Sequence, residues 1–372
     1  MDLAEHSTLR RELRAWLEEH LTDDVRAALT AEDIDARWSA QRRWNAALVD
    51  AGYGAVGWPP EHGGRGAGVQ EQLVVLEEMA RARAPGPVNA IGVSNIAPAI
   101  MGYGTGAQRQ RHLRPMLRGD EIWCQGMSEP DAGSDLASLV CRAARDGDHF
   151  VVSGQMTWSS NGDRADWCQL YVRTAAAAPK HQGITCLLVD MRTVGIDVRP
   201  IRTMAGDAGF ADVFFDGARV PVDAVLGQEG GGWAVATRTL SHERAGVASL
   251  HLNLRRKLDD LLADSAPTHD PVARDRLAQR HVDATLLELL GRRTLVAAAA
   301  GRPPGPEGSV VKLAWSRHEQ ALAETAVAVL GLPALGGERA RALLASRSFS
   351  IAGGTSEVNK NLIGERVLGL PK

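Results

Sequence analysis

The sequence predicts an α+β protein of several domains: a helical N-terminal domain, a middle antiparallel β-domain and a C-terminal four-helix bundle. Apolar residues at helical spacing dominate the first and last thirds of the chain, whereas short segments rich in Val, Phe and Tyr, separated by turn residues, fill the middle. The chain has 372 residues, of which 44% are hydrophobic, and is therefore long enough to form several domains with their own cores. We place these domains at residues 1–120, 121–228 and 229–372.

The helical pattern of the first domain begins close to the N-terminus. Four apolar residues recur there at the spacing of one helix face: Leu9, Leu13, Trp16 and Leu17. A Gly- and Pro-rich break covers 57–68. Beyond this break, the pattern predicts helices over 70–83, 89–103 and 107–118.

The middle and last domains differ in the length and composition of their segments. Strands are predicted over 149–154, 167–174, 183–190 and 211–215. Long Ala- and Leu-rich helices are predicted over 231–263, 271–300, 308–330 and 338–346, and a last helix opens after Gly353 and Gly354. Long helices with short connections indicate an antiparallel bundle.

Composition excludes several classes of function. A net charge of −3 does not suit a protein that binds nucleic acid without regard to sequence, because such a protein needs a basic surplus. The four cysteines form no CxxC pair and no histidine pair has metal-site spacing, so we expect no metal site. No run of 18 apolar residues predicts a membrane span, and the N-terminus lacks the apolar core of a signal peptide. We therefore expect a cytoplasmic protein.

Two short segments have the chemistry to bind a polar or anionic cofactor. Residues 128–135, Ser-Glu-Pro-Asp-Ala-Gly-Ser-Asp, form a polar loop with several backbone N–H groups and small hydroxyls, although the same composition also suits a loop held by its own turns. Gly353 and Gly354 precede a Thr-Ser helix start, where free N–H groups favour a pyrophosphate. An ordinary capped helix is the alternative for this second segment.

Five motifs in order resemble those of the acyl-CoA dehydrogenase family over nearly the whole chain. They are WCQGMSEPDAGSDLAS (123–138), GQMTWSSNG (154–162), VFFDGARVPVDAVLG (213–227), GGWAVATRTLSHERAG (231–246) and AGGTSEVNKNLIGERVLGLP (352–371). The family fold has a helical domain, a β-domain and a four-helix bundle, which agrees with the pattern of predicted segments. The resemblance implies FAD-dependent α,β-dehydrogenation of an acyl-CoA or a related acyl thioester.

The resemblance also implies which residues bind FAD. The residues that match the family's flavin contacts in the β-domain are Gln125, Met127, Ser128, Ser134, Trp158 and Ser160. Among them, Ser134 is expected near the phosphates or the thioester substrate, Trp158 against the flavin, and the Ser160 hydroxyl near N5. The alternative for Trp158 is a place in the core of the β-domain, where a strand Trp is usually found.

In the C-terminal domain, Gly354, Thr355 and Glu357 match residues that reach the FAD of a neighbouring subunit. The resemblance therefore implies an oligomer, either of one chain or of two related chains. Many family members also carry an Arg-x-x-Phe motif that binds the adenosine half of FAD. The stretch APTHDPVARDRLAQRHV at 266–282 has no such motif. We therefore expect the adenosine half of FAD to be held differently in this chain.

The catalytic base is the remaining expectation. Removal of a weakly acidic α-proton needs a carboxylate in a dry site, where desolvation makes it a stronger base. The commonest family position for this Glu is occupied here by Gly353. A minority of the family carries the base in a Glu-Arg pair on the first bundle helix, which matches Glu243 and Arg244. We predict Glu243 as the base and Arg244 as its substrate-side neighbour, with an exposed helix Glu as the alternative.

Three functional hypotheses remain open from the sequence. The first is an active dehydrogenase that passes electrons to an electron-transferring flavoprotein. The second is a flavin oxidase or monooxygenase on the same scaffold, or a dehydrogenase for a carrier-bound thioester. The third is a non-catalytic subunit of a mixed oligomer. The presence of Glu243 and of the flavin motifs favours the first.

Overall fold

The computed structural model describes residues 3–207, 209–246, 250–265, 270–300 and 305–371, without the side chains of 3–7, 241–246, 298 and 299. The chain divides into two compact units. One contains residues 1–67, 82–202 and 208–242, and the other contains 68–81, 203–207 and 243–372.

Helices form the N-terminal part of the first unit. They are α1 (Leu3–His20), α2 (Asp23–Leu29), α3 (Ile34–Asp50), α5 (Ala97–Tyr103) and α6 (Gly106–Arg118). Local signals that can be read from the sequence determine several of their ends. For example, Thr105 caps α6 and forms a capping box with Gln108, and Gly119 ends it in the left-handed conformation. A π-turn at Gly92–Ile96 leads into α5.

The β-domain of the first unit is one seven-stranded sheet. Its strands are β1 (Trp123–Gly126), β2 (Arg142–Asp146), β3 (His149–Ser160), β4 (Trp167–Arg173), β5 (Ile184–Asp190), β6 (Ile196–Ile201) and β7 (Phe210–Pro221). Their order is β1-β4-β2-β3-β7-β6, and β5 also pairs with β4. The sheet is not wholly antiparallel as predicted, because β1 pairs with β4 in parallel and β2 meets β4 in parallel at one residue pair.

Two cores hold the first unit together. One lies between the sheet and the helices and includes Ile96, Ile100, Trp123 and Tyr171. The other lies within the β-domain and includes Phe150. Because residues 232–242 of the next helix also belong to this unit, Val235 and Ala236 of that helix are part of the first core.

The second unit is helical. Its helices include α4 (Val69–Arg81), α8 (Leu250–Asp264), α9 (Pro271–Ala299), α10 (Glu307–Leu330), α11 (Gly337–Ala345) and α12 (Ser356–Leu362), and α7 (Gly232–Gly246) enters it from the first unit. The single helix predicted over 231–263 is described as α7 and α8, with 247–249 outside the described residues. Helices α8, α9 and α10 share an apolar core that includes Leu258, Leu287 and Leu322. The predicted domain boundaries at 120 and 228 stay predictions.

Candidate active site

The β1 strand and the β3 strand bring two of the predicted flavin motifs together. Ser128 is the second residue after β1, and its carbonyl accepts a hydrogen bond of 2.8 Å from the Thr157 amide of β3. Gly126 lies close to the packed side chains of the sheet, because a Cβ on it would lie 2.6 Å from Cδ1 of Leu170 and would force that side chain to shift. Residues 29 positions apart in the sequence are therefore neighbours, and Gln125 and Met127 lie along the same strand end.

Trp158 adopts a backbone conformation that the strand pattern does not predict. Its φ is 58°, and it lies where the β3–β7 register shifts between Met156 and Ser159. A bulky residue at positive φ is an outlier, and such outliers and β-bulges concentrate next to active sites. The side chain is 58% exposed, with Phe210 packed against it edge-on at 5.8 Å between ring centroids. The alternative that Trp158 fills the core of the β-domain is therefore wrong.

The bulge also separates the two serines that follow Trp158. Ser159 is fully buried, whereas Ser160 is only partly buried. Asn161, with φ of 55°, ends this segment in a second left-handed residue. Of these three consecutive residues, Trp158 and Ser160 have accessible side chains, and both are predicted to meet the flavin.

The polar loop at 128–135 is held by a carboxylate that the sequence analysis missed. Glu129 is 6% exposed, and its carboxylate accepts hydrogen bonds from the backbone amides of Val140 and Cys141. Farther along, Ser134 and Asp135 are exposed. Asp135 precedes the short turn Leu136–Ser138, but its side chain makes no capping hydrogen bond to it. That side chain instead accepts hydrogen bonds from Lys180 and Ser138, which lower its pKa. Glu129 thus fixes the start of the loop, while its tip faces solvent.

Amide side chains also surround Gln125. Its Nε2 donates to Oε1 of Gln169 at 3.0 Å, and its Oε1 accepts from Nδ2 of Asn95 at 3.4 Å. Both partners were missed by the sequence analysis. The available signal was a Gln within the otherwise apolar strand of Trp167–Arg173.

In the second unit, a buried lysine shapes the loop before α12. Gly353 and Gly354 both have positive φ, 66° and 88°, and Oγ1 of Thr355 caps α12 by accepting from the Val358 amide. Nζ of Lys312, which is 4% exposed, donates to the carbonyls of Phe349 and Gly354 at 2.9 and 2.8 Å.

The hydrogen bonds to the Gly354 carbonyl also determine the direction of the next backbone N–H, that of Thr355. Nδ2 of Asn359 donates to the same Gly354 carbonyl at 2.9 Å. Because a trans peptide points its C=O and N–H in opposite directions, holding this carbonyl against Lys312 turns the Thr355 N–H the other way. Glu357 lies in the first turn of α12 and is exposed. Lys312 was not identified from the sequence.

The predicted base lies on α7. The backbone of Glu243 and Arg244 is helical, but their side chains are outside the described part of the chain. The preceding turns of α7 are anchored in the first unit, where the Thr239 hydroxyl lies 3.3 Å from Oη of Tyr171 and Nε of Arg238 donates to the Pro98 carbonyl at 3.1 Å.

Among the described residues, no group of three or more His, Cys, Asp or Glu side chains could hold a metal ion. Within the same residues, no helix is both long and apolar enough to cross a membrane.

Three family models cover almost the whole chain. They are the acyl-CoA dehydrogenase N-terminal domain at residues 4–120, the middle domain at 124–218 and the C-terminal domain at 230–368. The chain belongs to the acyl-CoA dehydrogenase family. It is therefore an oxidoreductase of the class that acts on acyl-CoA, and the fold predicted from its sequence is confirmed.

Individual members of the family agree with this assignment. Acyl-CoA dehydrogenase IpdE1 of Mycobacterium tuberculosis is 38% identical over 98% of this chain and 97% of its own. Among solved structures, the Tcur3481-Tcur3483 steroid ACAD has a TM-score of 0.87 at 30% identity, covering 100% of this chain and 99% of that one. The ChsE4-ChsE5 complex from Mycobacterium tuberculosis has a TM-score of 0.85 at 31% identity, with coverage of 100% and 99%.

Proposed function

We propose that this acyl-CoA dehydrogenase binds FAD and removes two hydrogens across the α,β-bond of an acyl-CoA, with Glu243 as the base. The observation that carries the cofactor proposal is the exposed, left-handed Trp158 beside the Ser128 end of β1. An isoalloxazine needs a flat apolar surface and an edge of hydrogen-bonding groups, and the structure has both at this point. The residues therefore fit FAD.

Each residue of the chain has a definite task in this proposal. Gln125, Met127 and Ser128 line the flavin edge, the Trp158 face excludes water from the ring, and Ser160 offers a hydroxyl near N5. Ser134, in the exposed loop, lies toward the phosphates or the thioester. When bound, FAD accepts at N5 the hydride that leaves the β-carbon.

Helix α7 carries the residue that removes the α-proton of the substrate. Glu243 takes the α-proton, and Arg244 lies beside it on the substrate side. A carboxylate transferred to a desolvated site gains basicity, which this reaction needs because the α-proton of a thioester is weakly acidic. The glycine at 353 supports this choice, since the chain has no carboxylate at the other position used by the family.

The substrate proposal rests on the relatives. Two of the similar structures carry names that point to a steroid dehydrogenase or to a complex of two different chains, Tcur3481-Tcur3483 and ChsE4-ChsE5. We propose a polycyclic, steroid-derived acyl-CoA as substrate and an electron-transferring flavoprotein as electron acceptor. A glycine at 353 suits a bulky acyl chain, because it adds no side chain to the site.

An oligomer is also part of the proposal. In it, Gly354, Thr355 and Glu357 reach the FAD of a neighbouring subunit. Helix α9 supports association, because it exposes apolar residues along one face, four, three and seven residues apart: Val282, Leu286, Leu289 and Val296. Their exposed fractions, 48–65%, mark a stripe typical of helix pairing.

Light scattering should show at least a dimer, and Leu289→Glu should shift the mass toward the monomer. A wild-type chain that is monomeric with FAD fully bound would contradict the proposed oligomer.

The test of the base is the variant Glu243→Gln. It keeps the side-chain shape but removes the proton acceptor, so the rate of flavin bleaching by substrate under anaerobic conditions should fall by roughly 10²–10⁴-fold. The bound FAD should stay, because the flavin motifs lie elsewhere. A panel of straight-chain, branched and steroid-side-chain acyl-CoAs identifies the substrate in the same assay.

Glu338→Gln is the matched control, since Glu338 is an exposed glutamate of the same unit. It should bleach at the wild-type rate. A Glu243→Gln protein that bleaches as fast as the control would show that the base is elsewhere or on a partner chain. Rapid peroxide formation in air by the wild type would instead favour an oxidase.

A further inference from the structure

Three amide side chains from separate elements form one continuous hydrogen-bonded chain in the first unit. Asn95 lies in the π-turn before α5, Gln125 on β1 and Gln169 on β4. Asn95 donates to Oε1 of Gln125 at 3.4 Å, and Nε2 of Gln125 donates to Oε1 of Gln169 at 3.0 Å. The middle amide is therefore held at both of its polar atoms.

The backbone places these three residues together. Gln125 and Gln169 are direct partners in the parallel pairing of β1 with β4, so their side chains leave the sheet on the same face. Asn95 belongs to the five residues of the π-turn, a helix distortion that is frequent at functional sites. Neither partner is accessible, since Asn95 is 6% exposed and Gln169 is fully buried.

Gln169 is a costly residue at its position. Its neighbours in the strand, Cys168 and Leu170, are fully buried and apolar. Its Nε2 has no hydrogen bond of good geometry among the described residues. A leucine would fill the same space without this desolvation cost. The hydrogen bond to Gln125 is what the buried amide supplies in return.

The Gln125 amide keeps one donor and one acceptor position that its two partners do not use. A primary amide has two N–H donors and an oxygen with two lone pairs. The bonds to Asn95 and Gln169 use one of each. Gln125 itself is only partly buried, so one N–H and one lone pair remain for a ligand.

We propose that Asn95 and Gln169 are positioning residues that fix the Gln125 amide as a paired donor and acceptor for an imide edge, a carbonyl beside an N–H. The pyrimidine edge of the isoalloxazine has this chemistry, so the inference deepens and rests on the proposed FAD site. Without its two partners, the amide is free to rotate about its side-chain bonds, whereas bonds at both polar atoms hold it in one plane. Fixing one orientation in advance removes the entropy cost of ordering it on binding.

The test compares FAD release with stability. In the FAD-loaded full chain, Gln169→Leu should speed FAD release on dilution by about three- to tenfold, the range expected for one hydrogen bond that is no longer pre-arranged. The unfolding midpoint of the FAD-free full chain should stay the same or rise, because a poorly satisfied buried amide has been replaced by an apolar group of similar size. A merely structural role predicts unchanged FAD release and a lower unfolding midpoint.

Gln108→Leu is the matched control, because Gln108 is a second buried glutamine of the first unit. Its amide bonds the carbonyls of Asp223 and Val225 and completes the α6 capping box. Removing it should lower the unfolding midpoint and leave FAD release unchanged. Gln125→Leu should speed FAD release at least as much as Gln169→Leu, because it also removes the groups that face the flavin. Adding Gln169→Leu to Gln125→Leu should have no further effect, since no amide is left to position.

Asn95→Ala keeps the proposal testable if Gln169→Leu does not fold, and it should also speed FAD release. Unchanged release in the folded variants, or additive effects of the Gln125 and Gln169 changes, would overturn the positioning role. A wild-type chain that purifies without FAD and does not take it up would instead overturn the proposed function, and with it the imide edge.

Discussion

Replacing Trp158 by asparagine should separate folding from cofactor binding. The tryptophan is 58% exposed, so about 40% of a side chain that can bury at most roughly 250 Å² is covered, or about 100 Å². At about 25 cal/mol per Å² its removal costs about 2.5 kcal/mol. Left-handed backbone costs a residue with a Cβ roughly 1–2 kcal/mol, and asparagine tolerates that conformation much better. The net loss in the free energy of unfolding is therefore about 1 kcal/mol.

FAD binding should respond far more strongly to the same change. Stacking of a heteroaromatic ring on an aromatic side chain is worth about 1–3 kcal/mol, so the FAD dissociation constant should rise roughly ten- to hundredfold. Urea unfolding of the FAD-free chain measures the first quantity, and flavin fluorescence titration measures the second.

Trp123→Ala is the comparison, because Trp123 is fully buried in the first core. It should cost about 3–5 kcal/mol in the free energy of unfolding. The reasoning is refuted if Trp158→Asn destabilises the chain as much as Trp123→Ala does. It is also refuted if Trp158→Asn leaves the FAD dissociation constant unchanged.

Two further predictions concern the second unit. Lys312→Met removes the ammonium that holds the Phe349 and Gly354 carbonyls, so hydrogen exchange of the amides over 353–359 should accelerate at least about tenfold, as expected for loss of a charge-assisted hydrogen bond. Lys360→Met, an exposed change on α12, should have no such effect. Equal exchange rates in the two variants would contradict the role of Lys312 in holding these carbonyls. Burial lowers the pKa of His318 in the folded state, against the opposing charge of Asp283 and with Arg280 and Arg317 acting in the same direction as burial. The folded state then binds fewer protons than the unfolded state, so the free energy of unfolding should fall as pH drops below about 6.5. His318→Gln should make this fall shallower in urea titrations at successive pH values. An equally steep fall in the variant would refute the assignment of this pH dependence to His318.

The structure also changes what a rescue of Glu243→Gln at position 353 would require. Gly353 has φ of 66°, a conformation that costs other L-residues roughly 1–2 kcal/mol. Gly353→Glu in the Glu243→Gln background therefore starts from a strained loop. Any activity it restores should be accompanied by a lower unfolding midpoint.

Elements with local signals could be predicted from the sequence. Helix α6 was expected at 107–118 and lies at Gly106–Arg118, since its capping box and its terminal glycine are adjacent in the chain. The predicted strand at 183–190 agrees with β5, because an apolar run between turn residues is also a local signal. In contrast, none of the predicted strand ranges covers β1, β2 or β6. Strand β1 is four residues long and pairs in parallel with β4. Strand β6 is a partly exposed edge strand, and its short alternation of Ile196 and Val198 with polar residues ends at Pro200.

The candidate site divides in the same way. The motif that holds Gln125 and Ser128, and the motif that holds Trp158, are each contiguous, so the sequence determined which residue types are available for a flavin. Only the tertiary structure decided that Ser128 pairs with Thr157 and that a register shift turns Trp158 out of the core. The partners Gln169 and Lys312 could not be identified in advance. Their roles depend on hydrogen bonds to groups more than 35 residues away in the chain, and such pairings are determined by how strands and helices pack, not by spacing along the sequence.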